Sequence, residues 1–221
     1  MIRTLSFTEA GGHPTNEDAL VVSQHPNDPT AWVCFVADGQ GGQPGGGRAA
    51  QLACLTATAY FEQASPERLH EGHFWSSLLR AVDEAVQADS PAGFTTFVGL
   101  CVTNNRVAGV SSGDSAALML SAAGVADLTA GQRKNLPVGS GMATAVTFSA
   151  TPNPPWRLLV MTDGVWKYVG WERVIDAARR EHETETVAEL QRAARLPGSG
   201  LFQDDFTIVL FDSGGRAGTA G

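Results

Sequence analysis

The residues in this chain best suited to chemistry are aspartates standing where apolar runs end or begin. Asp38 follows AWVCFVA and is succeeded by GQGG; Asp163 follows WRLLVMT and is succeeded by Gly164. Asp18 precedes ALVV, the pair Asp204-Asp205 precedes FTIVLF, and Asp114 sits in a short connector between two apolar stretches. An unbroken apolar run bounded by a turn signal reads as a strand buried on both faces. Each acid is therefore held at a strand terminus, and two strands ending in Asp-Gly point to a metal site or a phosphate site. In an antiparallel sheet the end of one strand lies beside the start of its neighbour, so these acids can gather at one edge. Crowded carboxylates raise one another's pKa and partly neutralise, a conflict that a divalent cation removes. Oxygen ligands without Cys or a convincing His favour Mg²⁺ or Mn²⁺ over zinc. Two such ions would hold a bridging hydroxide and polarise a phosphoryl oxygen, the two-metal route to phosphoester hydrolysis. The glycines after Asp38 allow a carbonyl or a substrate to come close.

The elements that must position these acids follow from local pattern. Strands are expected over 2–8, 19–23 and the run ending at Asp38, then an alanine-rich helix over 48–63. Ser65-Pro66-Glu67 has the signature of a helix start, with Phe74, Leu78, Val82, Ala85 and Val86 forming its apolar stripe. From Phe94 to Leu128 four strands are expected, joined by the hairpin-like connectors Asn-Asn, Gly-Asp and Ala-Ala-Gly. Strands over 143–150 and 156–162, helices over 172–180 and 186–195 and a last strand over 206–211 complete the reading. Runs of strands and paired helices, without strict alternation, indicate an α+β domain with mainly antiparallel sheet. The chain shows no internal repeat and no linker, so a single domain over 1–212 is expected, with residues 213–221 a disordered tail.

Composition narrows the function classes. A formal net charge of −8, from 23 acidic and 15 basic residues, argues against nucleic acid or an anionic membrane as the main partner. The three cysteines, Cys34, Cys54 and Cys101, lack metal-ligand spacing and lie among apolar neighbours, which fits buried thiols in a reducing cytoplasm. No run approaches the roughly 20 apolar residues of a membrane span, and the N-terminus lacks a signal-peptide core. A cytoplasmic location is expected.

The motifs NEDAL, FVADGQGG, GFTT, VSSGDSAALML, LLVMTDGVW and QDDFTIVLF resemble, in order and spacing, those of the metal-dependent serine/threonine protein phosphatases of type 2C, the PPM family. The resemblance spans residues 2 to 212 and is similar to a compact bacterial form. It implies a four-layer α-β-β-α sandwich, two antiparallel sheets flanked by helix pairs, with a binuclear Mn/Mg centre at one end. By position, Asp38 resembles the bridging ligand, Gly39 supplies a carbonyl, and Asp163, Asp204 and Asp18 complete the set, with Asp114 available to a third ion. The implied activity is hydrolysis of phosphoserine and phosphothreonine on proteins by a metal-bound hydroxide, opposing a cognate kinase. Where many members carry a phosphate-gripping Arg this chain has His13, which could bind phosphate only when protonated and without the bidentate fork. Where the family's Arg follows Gly-Asp-Ser, this chain has Ala116. Lys167 stands where many members place an Asp for the third ion; its ammonium would oppose that ion or touch the substrate phosphate. The losses at positions 13 and 167 leave open an alternative, a catalytically weakened phosphoprotein-binding or regulatory module of the same fold. The irregular stretch 130–142, at the family's substrate-side flap, reads as a mobile loop that sets substrate preference.

Overall fold

The computed structural model describes residues 1–12, 14–42, 44–132 and 136–214. Its strands are β1 (Arg3–Glu9), β2 (Asp18–His25), β3 (Asp28–Asp38), β4 (Phe97–Val102), β5 (Val107–Ser112), β6 (Ala116–Ser121), β7 (Gly124–Asp127), β8 (Val146–Ala150), β9 (Trp156–Met161) and β10 (Phe206–Asp212). The helices are α1 (Gly46–Glu62), α2 (Gly72–Ala88), α3 (Asp163–Val169), α4 (Trp171–Ala178) and α5 (Glu183–Ala194). One sheet has the order β1-β10-β9-β6-β7 and the other β2-β3-β4-β5-β8; every pairing within them is antiparallel.

The continuous apolar strands explain the layering, because side chains alternate between faces. Along β3, Val33, Phe35 and Ala37 pack with Ala50, Ala53, Leu78 and Val82 of α1 and α2, whereas Cys34 and Val36 point the other way. Along β10, Phe206, Ile208 and Leu210 meet Val174 and Leu190 of α4 and α5, while Val209 and Phe211 join Cys34 and Val36 between the sheets. Two helix–sheet cores and one sheet–sheet core therefore make the expected α-β-β-α sandwich. Cys34, Cys54 and Cys101 are free and buried, as expected. No helix among the described residues is long and apolar enough to cross a membrane.

Several local expectations are corrected. The Gly-Asp connector does not close a hairpin: β5 lies between β4 and β8 in one sheet, and β6 between β9 and β7 in the other. Both runs are buried on both faces, so each takes neighbours in its own sheet and the three residues between them cross the seam. Ser65 makes no side-chain cap; residues 66–70 form a single 3₁₀ turn, the chain is extended at Glu71, and α2 starts at Gly72. Trp75 Nε1 fastens that turn by donating to Leu69 O at 2.9 Å. The chain after β9 enters α3 directly. Its seven residues make fewer than two turns, too few to repeat an apolar stripe, and Gly170, at φ 85°, separates it from α4.

Ser213, in the expected tail, is buried and its Oγ accepts the Trp156 N–H at 2.8 Å. The remainder of that tail, 215–221, lies outside the described residues, as do His13 and residues 133–135.

Candidate functional site

Register builds the site. In the β2–β3 pair Asp18 stands directly opposite Asp38. In the other sheet β9 and β10 run antiparallel, so the start of α3 just after β9 and the loop before β10 come to the same end, delivering Asp163 and Asp204. Asp114 reaches this end because the β5–β6 connector crosses the seam there. Asp38, Gly39, Asp114, Asp163 and Asp204 line one cleft of ≈ 830 Å³ with Glu17, while Asp18 lies almost buried at 8% exposure. The structure thus brings together every described acid that the sequence singled out.

Neighbouring threonines orient these acids. Thr162 Oγ1 donates to Asp18 Oδ2 at 2.9 Å and accepts the Thr207 N–H at 3.2 Å. The main chain of Asp38 is held on both sides: its N–H donates to Thr96 Oγ1 at 3.1 Å, and its carbonyl accepts Thr95 Oγ1 at 2.8 Å and the Thr96 N–H at 2.9 Å. Gly39 must be glycine for packing, since a Cβ there would fall 2.4 Å from the Gly46 carbonyl carbon and 2.6 Å from Glu17 O.

Asp205, beside the expected ligand Asp204, takes a different part. Its Oδ1 accepts the Gly11 N–H at 2.8 Å and its Oδ2 the Glu17 N–H at 2.5 Å, which fixes the loop leading to Asp18. An amide at this position could offer only one acceptor oxygen. The roles of Thr162 and Asp205 were missed in the sequence, where the available signals were a polar residue closing the apolar run before Asp163 and a doubled Asp before the last strand.

The electrostatics match a site built for cations. Burial pushes Asp38 up to about 9, with further repulsion from Asp18, Asp163, Asp114 and Asp204. Burial also raises Asp18 to about 7 against the hydrogen bonds from Thr207 and Thr162, and Asp205 and Asp204 add repulsion. Asp114, at the exposed lip, is raised by desolvation and by Asp163. Asp18 Oδ1 is buried with no hydrogen-bond partner among the described residues, an acceptor that a cation, a proton or a water would satisfy. Among the described residues no group of three Asp, Glu, His or Cys forms a ready-made metal cage. The fit to Mg²⁺ or Mn²⁺ rests on the all-oxygen donors, their mutual repulsion and the orphaned oxygen.

Lys167 carries its charge to one of the acids. Its Nζ lies 3.0 Å from Asp163 Oδ2 on the first turns of α3, and that bond raises the lysine pKa. Beside it, Trp166 Nε1 donates to Asp114 O at 3.1 Å and ties α3 to the β5–β6 crossover. No lysine or arginine is among the described residues lining the cleft.

Comparison with known proteins agrees with this geometry. The family model described as protein phosphatase 2C matches residues 10–196. No curated protein sequence matches. Among solved structures, a variant of a bacterial serine phosphatase superposes with a TM-score of 0.83 at 18% identity, covering 98% of this chain and 100% of that one. A serine/threonine phosphatase from Staphylococcus aureus does so with a TM-score of 0.79 at 18% identity, covering 97% and 96%. The catalytic domain of the serine/threonine protein phosphatase PstP, in complex with 2 manganese ions, gives 0.78 at 20% identity, covering 96% and 97%. With the family model spanning most of its length, this chain belongs to the protein phosphatase 2C family.

Proposed function

We propose that this protein removes phosphate from phosphoserine and phosphothreonine on proteins, opposing a serine/threonine kinase, with two Mn²⁺ or Mg²⁺ ions in the acidic cleft. The observation that carries this reading is the convergence of Asp18, Asp38, Asp163 and Asp204 from two sheets onto one end of the sandwich. Asp38, central to the mutual repulsion, would hold the ions together with Asp163, Asp204 and Asp18, with the Gly39 carbonyl beside them. Bound ions of this kind supply Lewis acidity and lower the pKa of a coordinated water.

The protein's own groups do the positioning. Thr162 occupies one oxygen of Asp18 and leaves Oδ1 unpartnered; Thr95 and Thr96 lock the main chain of Asp38. The departing seryl or threonyl oxygen needs a proton, and Asp114, which lines the lip of the cleft with Asp163, is our choice of side chain to supply it. That role and the Lys167–Asp163 pair lead us to assign two ions instead of three. With no cationic side chain among the described lining residues, phosphate would be gripped chiefly by the ions, with Lys167 within the same acidic cluster. His13, outside the described residues, retains the phosphate role its position suggests. Four converging carboxylates are more than simple phosphoprotein binding requires, which favours hydrolysis over the regulatory alternative.

The test is Mn²⁺- or Mg²⁺-dependent release of phosphate from phosphoserine and phosphothreonine peptides, compared with sugar phosphates. Asp38→Ala and Asp163→Ala should each lower kcat by about a thousandfold or more, the scale of losing metal stabilisation of the transition state. A folded protein that turns over no phosphopeptide with either metal refutes the proposal.

A further inference from the structure

The buried stripe of α2 consists of Phe74, Trp75, Leu78, Leu79, Val82 and Val86 with one ionisable group among them, Asp83. Asp83 is 5% exposed, and a carboxylate so placed is costly unless its oxygens are satisfied. Three main-chain amides satisfy it. The Gly139 and Gly141 N–H groups donate to Oδ1 at 2.7 and 3.1 Å, and the Ala143 N–H donates to Oδ2 at 3.0 Å. Gly139 and Gly141 have φ of 102° and 73°, left-handed turns that help successive amides converge on one anion, a backbone nest. Gln87, one turn further along α2, adds a donation from Nε2 to Ser140 O at 3.3 Å.

What the nest holds is a wall of the acidic cleft. Immediately before it, Pro137 lines the cleft. Val138, fully buried, exchanges main-chain hydrogen bonds with Thr95 at 3.0 and 3.1 Å. Thr95 in turn donates from Oγ1 to the carbonyl of Asp38. The segment 138–143 thus docks on Thr95, while the main chain of Asp38 keeps its bonds with Thr96 and its pairing with Asp18, which do not pass through the segment. This is also why the 136–142 part of the stretch expected to be mobile is pinned instead.

We propose that Asp83 is a positioning residue for the cleft: its buried carboxylate latches residues 138–143 and so fixes the wall at Pro137 against which the polypeptide around a phosphorylated residue rests. The proposal deepens the hydrolytic reading and rests on it for the substrate. A small aryl phosphate needs only the ions and acids, whereas a phosphopeptide also needs the wall. Loss of the latch therefore separates the two substrates.

The test uses the full chain with Asp83→Ala, and with Asp83→Asn as the conservative variant that keeps one acceptor oxygen. Amide hydrogen exchange is followed by mass spectrometry, and steady-state kinetics with Mn²⁺ compare a phosphothreonine peptide with p-nitrophenyl phosphate. In Asp83→Ala, exchange over 138–143 should accelerate by about tenfold or more, the scale of losing a hydrogen bond to a charged group, with the sheets unchanged. KM for the peptide should rise about tenfold by the same reasoning, while kcat and KM for the aryl phosphate stay within about twofold. Asp83→Asn should fall between and, if Asp83→Ala fails to fold, carries the test alone.

Unchanged exchange over 138–143 overturns the latch. Faster exchange with both substrates affected equally, or neither, overturns the positioning role and leaves a purely structural one. A wild type that turns over neither substrate refutes the hydrolytic reading instead; peptide affinity by fluorescence anisotropy then decides the wall, a tenfold weakening in the variant supporting it and an unchanged affinity overturning it.

Discussion

At the scale of single residues, the site is a competition for carboxylate oxygens. Thr162 takes one oxygen of Asp18, two main-chain amides take both oxygens of Asp205, and the Lys167 ammonium takes Asp163 Oδ2. Only the last competitor is a charge of the same sign as the ions we assign to the cleft. Lys167 is half exposed, with 52% of its side chain accessible, so the pair is solvent-screened and weak. Lys167→Met should tighten Mn²⁺ binding by about three- to fivefold, the worth of an exposed ion pair, as measured by titration calorimetry. Weaker binding in the variant would mean that the ammonium supports the site. The acids themselves were legible in the sequence because each interrupts an apolar run. Their partners were not, since Thr162 and Asp205 acquire their roles from residues 144 and 194 positions away.

Among the elements, the turn between α4 and α5 is tied to the sheet by Arg157, which is itself paired with Asp212 across β9 and β10. Arg157 of β9 donates from Nε to Asp212 Oδ2 at 2.6 Å, and its terminal nitrogens donate to Ala178 O at 3.1 Å, to Glu181 O at 2.7 Å and to Arg180 O. Burial works against the Asp212 carboxylate, but the bonds from Arg157 and the Gly214 amide hold its pKa below the ordinary range. Arg157→Met leaves Asp212 Oδ2, the Ala178 carbonyl at the end of α4 and the Arg180 and Glu181 carbonyls of the following turn without this donor. It should cost about 3–5 kcal/mol, as is usual when one partner of a buried pair is removed, read from urea unfolding. A loss below about 1 kcal/mol would place the pair with exposed ones. The long elements were readable from periodicity; α3 and the break at Glu71 were not, because a helix of fewer than two turns and a single 3₁₀ turn are too short to repeat an apolar stripe. The β5–β6 crossover was hidden for another reason. Two fully buried strands with three residues between them look alike whether they pair with each other or with strands elsewhere.

Across the whole molecule, the sandwich gathers like charges at one end and so couples stability to pH and to metal. Asp18 and Asp38 have ordinary values of 3.8 and folded values of about 7 and 9. Between those limits the folded protein binds more protons than the unfolded chain, so their contribution to stability falls as pH rises. That contribution is complete below about pH 4 and is lost through pH 7 and then 9. Metal-free protein should therefore show a Tm that declines between pH 6 and 9 in scanning calorimetry. Saturating Mn²⁺ should restore it, with the largest increment at the alkaline end, because the ion binds the deprotonated acids. A metal-free Tm that rises across this range would show that the acids are not in mutual repulsion.

The sequence by itself determined the α+β class, the mainly antiparallel sheet and the acids at strand ends, because apolar runs and the Asp residues that bound them are local and register-independent; the sandwich followed from the resemblance of its motifs to the type 2C phosphatases. The tertiary structure alone decided which strand faces which: that Asp18 stands opposite Asp38, that β5 and β6 part company and carry Asp114 across the seam, and that Asp83 on a distant helix holds the cleft wall. The physical reason is that burial pattern states which faces are hidden but not by what. Only packing the three cores together selects the partners, and with them the electrostatics of the cleft.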